Sequence, residues 1–392
     1  MDMLDFVFDN PTKLLFGSGK LKTLHQEKLP GKKALLLMSA GSSAIRNGSY
    51  DQTVLELKKA GIPFYKFAKI TENPLDTVCE EGGACAASQG CDFIVALGGG
   101  AVLDASVAVA VMATNPGRFW DYVQGGTGKG MPILHKPLPI VTIATTSGTG
   151  SEINDCGVIC REETQEKIGF ENPELLKPVI AVVDPLYMCS VPPQYTAFQG
   201  FDALFHHMEA MLSNRLNLLT ETIALSSIRL IARYLPSAVR HGSDLGAREH
   251  VAYAATMAGY TMQLTGTIAP HPMEHAMSAY HRNLPHGAGL ILISDAFIRF
   301  LIDRHVCEDR FMEMANAMGV PMTISAQDFA DALVKLKAAC GVGGLRMEDY
   351  GIKKEECLDL AKKAMEMSPG HFRATPWPLT VEEVAGIFEA SF

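Results

Sequence analysis

Four short runs of unbroken apolar residues set the fold class of this chain: ALLLMS (34–39), FIVAL (93–97), PIVTIA (139–144) and VIAVVD (179–184). A strand with one face in water alternates apolar and polar residues. A run without alternation needs cover on both faces, and a parallel sheet flanked by helices supplies it. Each run stops at Gly, Ser, Thr or Pro, and helical patterns lie between them. Residues 1–185 therefore read as an α/β domain. From about residue 194 the pattern is helical, with apolar spacings of three and four in TAFQGFDALFHHMEAMLSN, LTETIALSSIRLIARYL, AREHVAYAATMAGYTMQL and SAQDFADALVKLKAAC, and no strand is expected. Residues 186–392 read as an all-helical second domain. A chain of 392 residues accommodates two domains. With no repeat, low-complexity tract or long linker, the domains are expected to pack closely, with the ligand site in the cleft between them.

Composition excludes several roles. Net charge is −9 and no basic cluster is present, which argues against nucleic acid as a partner. The start, MDMLDFVFDN, lacks the basic end and apolar run of a signal peptide. The most apolar helical stretch, AVLDASVAVAVMAT, is broken by Asp104 and is too short to span a bilayer, so no membrane association is expected. Nine cysteines form no disulfide framework, and reduced thiols in a cytoplasm are the expectation. Cys156 and Cys160, four apart, read as small packing residues.

Three loops follow three of these runs. Gly98, Gly99 and Gly100 lead from FIVAL into a helix. Glycines let backbone approach a ligand closely, and the opening N–H groups of a helix form an anion site suited to a pyrophosphate. By themselves three glycines also suit a tight strand-to-helix turn. ATTSGTGSE (144–152) places hydroxyls and glycines where a phosphate, ribose or nicotinamide amide can be held, or where a helix is capped. Two such loops at the carboxyl ends of strands mark the ligand edge of an open α/β sheet. The third, MSAGSSAIRNG (38–48), has no acid to bind a ribose 2′-hydroxyl and repel a 2′-phosphate. Ser39 and Ser42 can donate to a phosphate and Arg46 can neutralise it, which leans toward tolerance of NADPH.

Four of the twelve histidines fall in HPMEHAMSAYHRNLPHG (271–287). His271 and His275 are four apart on one helix face, and His286 follows Pro285 at the start of a further helix. Upstream, Asp202 and His206 are also four apart, while His207 lies about 100° around that helix. A carboxylate with several imidazoles suits Fe²⁺ or Zn²⁺. Spacing alone leaves open whether these helices face each other.

The chain resembles the iron-containing (group III) alcohol dehydrogenases from end to end. NPTKLLFGSGKL echoes the family's opening. GGGAVLDASV matches its G-G-G-S-x-x-D-x-A-K signature, ATTSGTGSE its P-T-T-x-G-T-G-S-E, DPLYMCSVPPQYTAFQGFDALFH its D-P-x-L to H stretch, and HPMEHAMSAYHRNLPHGAG its two histidine motifs. The resemblance implies a Rossmann-like dinucleotide-binding α/β domain followed by an all-α metal domain. It implies Asp202, His206, His271 and His286 as metal ligands and His275 as a catalytic pocket residue. It implies Gly98, Gly99 and Gly100 as the pyrophosphate loop with Asp104 in the same signature. Thr145, Thr146 and Thr149 then contact the cofactor, and Lys167 is a cofactor-side lysine. Ala101, Val107, Ala144 and Tyr187 depart from the family's Ser, Lys, Pro and Leu, and the segment between His275 and His286 is one residue longer than in some relatives, with His281 in the extra rim.

The implied activity is that of an NAD(P)H-linked alcohol dehydrogenase or aldehyde reductase. One divalent metal, Fe²⁺ with Zn²⁺ as the alternative, would act as Lewis acid on the substrate oxygen during hydride transfer. The substrate would be a small aldehyde or primary alcohol, either aliphatic or anionic such as sulfoacetaldehyde. A homodimer or higher homo-oligomer is expected. The alternatives are a polyol dehydrogenase, a sugar-phosphate cyclase that uses NAD catalytically, a metallohydrolase, which leaves the glycine and Ser/Thr loops unexplained, and a non-catalytic nucleotide-binding protein, which leaves the ligand set idle.

Overall fold

The computed structural model describes residues 5–392. They form two compact units: Asp9–Ser190, and Val191–Phe392 together with the N-terminal residues up to Phe8. The division falls after Ser190, where the sequence reading set it after residue 185. The reason lies in Asp184, whose carboxylate accepts the backbone N–H groups of Gly19, Leu21 and Leu186 and so ties the single turn Pro185–Met188 to the first unit.

The first unit is built on eight strands: β1 (Lys13–Phe16), β2 (Ala34–Ser39), β3 (Phe64–Ile70), β4 (Phe93–Gly98), β5 (Ile140–Ala144), β6 (Cys156–Arg161), β7 (Glu166–Glu171) and β8 (Ile180–Val183). Six form one parallel sheet in the order β1-β8-β5-β4-β2-β3, and β6 and β7 form a separate antiparallel hairpin. The four apolar runs are the four inner strands. Along β2, Leu36 and Met38 join Leu21, Leu24 and Leu57 in one core, while Leu35 and Leu37 point to the opposite face and are equally buried. Two edge strands escaped the sequence reading. β1 is four residues long, and β3 (FYKFAKI) interleaves Lys66 and Lys69 with its apolar residues, as suits a strand paired on one side only. The hairpin was also missed, because its strands mix Glu, Lys and Arg with apolar residues.

Helices α1 (Ser43–Arg46), α2 (Ser49–Lys59), α3 (Asp76–Ser88) and α4 (Gly100–Met112) belong to this unit, and α4 packs on β2, β3, β4 and β5. Ten residues of α4, from Val102 to Val111, are buried, which explains its all-round apolar sequence.

The second unit is helical throughout: α5 (Pro193–Leu212), α6 (Leu218–Arg240), α7 (Leu245–Thr265), α8 (Pro270–Tyr280), α9 (His286–Ile302), α10 (Glu308–Ala317), α11 (Gln327–Ala339), α12 (Cys357–Met367), α13 (Pro369–Ala374) and α14 (Val381–Glu389). α5 runs through its centre against α6, α7 and α9. Gly200 makes the α5–α6 approach possible, since a Cβ there would lie 2.2 Å from Leu235. Among the described residues no helix is long and apolar enough to cross a membrane, and none of the nine cysteines is in a disulfide.

Candidate active site

In the first unit the three polar loops follow β2, β4 and β5, which are neighbours in the sheet. The chain leaves β2 toward β3 on one side and β4 toward β5 on the other, so the strand order reverses between β2 and β4. Open α/β sheets bind ligands at the carboxyl ends of the strands around such a point. Gly99 caps α4, and the Thr145 N–H donates to the Gly98 carbonyl at 2.9 Å, locking the second loop to the first. A Cβ at Gly99 would lie 2.9 Å from Cγ2 of Thr146, and one at Gly100 would lie 2.6 Å from Cγ2 of Thr149. The two loops thus fit together only because these residues lack side chains. The opening N–H groups of α4 meet two threonines, a donor set that suits a pyrophosphate. Ser39 ends β2, and Ser42 precedes α1, its hydroxyl accepting from the Arg46 guanidinium.

Two residues that the sequence grouped with these loops occupy the hairpin side of the unit. Asp104, buried in α4, accepts the Val158 N–H of β6 at 3.1 Å. Gly157 packs so tightly on the Asp104 backbone that a Cβ would come within 2.4 Å of its carbonyl oxygen. Lys167 is buried on β7, opposite Cys160 of β6.

In the second unit, α5, α8 and α9 bring the carboxylate and the imidazoles together. Asp202 and His206 share one face of α5. α8 contributes His271 and His275, and α9 begins with His286. Gly287 lets that first turn of α9 lie against α5, since a Cβ would come 2.1 Å from the Phe198 carbonyl oxygen. From Asp202 Oδ1, His206 Nδ1 lies at 3.3 Å, His286 Nε2 at 3.5 Å and His271 Nε2 at 3.7 Å. Donor atoms of Asp202, His271 and His286 all lie within 4.8 Å of one another, and the His206 ring packs on that of His271 with centroids 4.3 Å apart. His275 sits beside them, its ring 5.5 Å from that of His286.

Two glutamates, overlooked in the sequence, complete the group. Glu209, seven residues after Asp202 on α5, accepts from His271 Nδ1 at 2.7 Å and from the Ile268 N–H at 2.8 Å. Glu274 on α8 accepts from His286 Nδ1. His206 Nδ1 donates to the Asp202 carbonyl oxygen at 2.9 Å. Every imidazole of the trio therefore spends its Nδ1 proton on a fixed acceptor, which leaves Nε2 as the nitrogen able to accept a cation, and for His271 and His286 that atom faces Asp202. Among the described residues Asp202 Oδ1 and His271 Nε2 are buried without a hydrogen-bond partner. Orphaned donors of this kind fit a divalent cation.

The electrostatics point the same way. Burial would neutralise Asp202, but the imidazoles gathered around it outweigh burial and hold the carboxyl well below its usual range. Burial drives His206 down to about 3 despite Asp202. At His271 burial is overcome by Glu209 and Asp202, which push it up to about 10. Surroundings that hold a proton on a buried imidazole favour positive charge.

Two other histidines of these motifs stand apart. His207 turns to α7, its Nε2 2.9 Å from the Ala254 carbonyl. His281, to which the sequence reading gave no role, lies 3.1 Å from Glu356 and ties the α8–α9 turn to the segment before α12.

Residues 11–185 match the model of the iron-containing alcohol dehydrogenases, and residues 196–392 match that of the C-terminal region of the Fe-containing alcohol dehydrogenase family. The chain is 32% identical to a 1,3-propanediol dehydrogenase of Klebsiella pneumoniae, over 100% of its own length and 99% of the relative's. It is 29% identical to NADH-dependent butanol dehydrogenase B of Clostridium acetobutylicum, over 99% and 100% of the two chains. The crystal structure of an archaeal halo-thermophilic alcohol dehydrogenase from a Red Sea brine pool superposes with a TM-score of 0.94 at 29% identity, covering 99% of each chain.

Proposed function

The chain belongs to the iron-containing alcohol dehydrogenase family, and from that premise we propose that it interconverts a small primary alcohol and its aldehyde, running as an aldehyde reductase. Asp202, His206, His271 and His286 hold one divalent ion, Fe²⁺ in the first instance with Zn²⁺ acceptable to the same donors. The observation that carries this reading is the convergence of Nε2 of His271 and Nε2 of His286 on the buried Asp202 Oδ1, with the His206 ring packed on that of His271.

When bound, the metal supplies Lewis acidity at the substrate oxygen and the nicotinamide supplies the hydride. The protein's part is orientation and proton management. Gly99, Gly100 and the start of α4 hold the cofactor's pyrophosphate, with Thr145, Thr146 and Thr149 beside it. Asp104 and Lys167 act from the hairpin side. His275, one helical turn after His271, exchanges a proton with the substrate oxygen. Ser39, Ser42 and Arg46 leave room and positive charge for a 2′-phosphate, so NADPH serves as well as the NADH named for the Clostridium relative. The enzyme works in a reducing cytoplasm, as nine cysteines without a disulfide suit. It forms a homodimer or higher homo-oligomer, for which β1 at the edge of the sheet is the contact.

The test is the near-ultraviolet absorbance of the reduced cofactor, NADH or NADPH, with Fe²⁺- or Zn²⁺-loaded protein and a panel of short aliphatic aldehydes, hydroxyaldehydes and sulfoacetaldehyde. Aldehyde-dependent loss of absorbance, abolished by a chelator, is expected. Loaded protein inert to the whole panel overturns the reading, and cofactor-independent ester hydrolysis by that protein would favour a metallohydrolase instead.

A further inference from the structure

We propose that Glu209 and Glu274 are positioning residues through which each helix of the metal group fixes the ligand presented by the next. The proposal rests on the reading that the group binds a divalent ion. α5 carries Glu209, which holds His271 on α8; α8 carries Glu274, which holds His286 on α9. Both glutamates are completely buried. A buried carboxylate is costly unless its charge is used, and here each meets an imidazole N–H.

The geometry separates this role from simple packing. Each carboxylate takes the Nδ1 proton of its histidine, which fixes the tautomer and turns the Nε2 lone pair toward Asp202 Oδ1, 3.7 Å away for His271 and 3.5 Å for His286. Glu209 uses its second oxygen on the Ile268 N–H, so it also fixes the loop that leads into α8. Glu274 lies in a space that only glycine leaves. A Cβ at Gly289, one turn into α9, would come 2.7 Å from Glu274 Cγ. The HGAG sequence thus holds one glycine for the α5 backbone and one for this carboxylate. The Glu274, His275 and His286 trio also has donor atoms within 4.8 Å of one another. It is not a second metal site, because His286 already gives its Nδ1 proton to Glu274 and presents Nε2 to Asp202.

Glu209→Gln and Glu274→Gln keep an acceptor oxygen and remove the charge. The full-length protein, stripped of metal, is titrated with Co²⁺ against a competing chelator, and the visible absorption of bound Co²⁺ is recorded. Each variant should bind Co²⁺ roughly ten- to hundred-fold more weakly than wild type, with altered visible bands. Circular dichroism and thermal unfolding of the metal-free form show that each variant is folded, whatever stability the lost buried charge costs. A further pair guards against a purely structural effect. In a His286→Ala background, Glu274→Gln should cost little additional affinity, because the ring it orients is gone. Folded Glu→Gln variants with wild-type Co²⁺ affinity and spectrum overturn the proposal, as does a Glu274→Gln loss that persists in full without His286. Wild-type protein that binds neither Co²⁺, Zn²⁺ nor Fe²⁺ instead overturns the metal reading itself, and this proposal with it.

Discussion

Oδ1 of Asp202 and Nε2 of His271 face each other at 3.7 Å, both buried and neither hydrogen-bonded. That distance is too long for a hydrogen bond, and leaving two such atoms dry would cost each its hydration. An ion lying between them removes both penalties. The arrangement therefore makes sense as half of a coordination shell.

Removing a donor should then remove the ion. Ala at Asp202, His271 or His286 is expected to lower metal content and turnover together, from about one ion per chain in wild type. His275→Ala should keep its metal and lose turnover, on the order of 10²–10⁴-fold if it moves a proton. Elemental analysis beside steady-state kinetics checks this. Metal lost from the His275 variant and kept in the His271 variant would reverse the two assignments. His281→Ala should leave both readouts unchanged and cost only the modest stability of its contact with Glu356, ~1 kcal/mol or less.

The second prediction concerns the cofactor. Ser39 ends β2, and the proposed cofactor placement puts the 2′ position beside it. Ser39→Asp should raise the KM for NADPH far more than that for NADH, because a carboxylate repels the extra phosphate. Equal effects on the two cofactors would place the 2′ position elsewhere.

What the sequence disclosed and what it hid follow from burial and side-chain chemistry. The inner strands were legible because both of their faces are covered, leaving no polar residue to interrupt them. β1 and β3 were not, because an edge strand can carry lysines at no cost. Asp202, His206, His271 and His286 stood out as residue types that bind metals. Glu209 and Glu274 did not, because a glutamate in a helical pattern reads as a solvated residue. A signal was present all the same: Glu209 is i+7 from Asp202 on a helix whose Phe201–Leu212 stretch is entirely buried. An acid on that face has to be paired. The position of Asp104 was hidden for another reason, since the hairpin it anchors could not be read from the sequence.

Acid stability offers a third test. Burial holds the His207 imidazole down to about 4, against an ordinary value of 6.5, even with its hydrogen bond to Ala254. The unfolded chain therefore takes up this proton as pH falls through 6.5, and the folded protein does so only near 4. Its contribution is complete above 6.5 and is lost between 6.5 and 4, amounting to ~3 kcal/mol. His207→Gln keeps a donor for the Ala254 carbonyl and cannot titrate. In metal-free protein the stability advantage of wild type over this variant should shrink by about that amount across the window, measured by denaturant unfolding at several pH values. A constant difference would mean that His207 is protonated in the fold.

The last prediction tests the nucleotide loops through their own packing. Gly100 opens α4 without a left-handed backbone, so alanine is acceptable there on conformational grounds and even favours the helix. What forbids it is Thr149, whose Cγ2 would lie 2.6 Å from the new Cβ and whose Oγ1 would lie at 3.1 Å. Gly100→Ala should therefore push the two loops apart and weaken NADH binding, at a cost of ~1–3 kcal/mol or roughly ten- to hundred-fold in Kd. Thr149→Ser removes the offending methyl and keeps the oxygen that accepts the Ser151 N–H. Alone it should change affinity little; combined with Gly100→Ala it should restore much of the loss. Nucleotide titration of the two single variants and the double variant decides the matter. Recovery in the double variant ties the effect to the contact between the loops. If the two losses simply add, the methyl is not the obstacle, and Gly100 is needed for the approach of the cofactor itself.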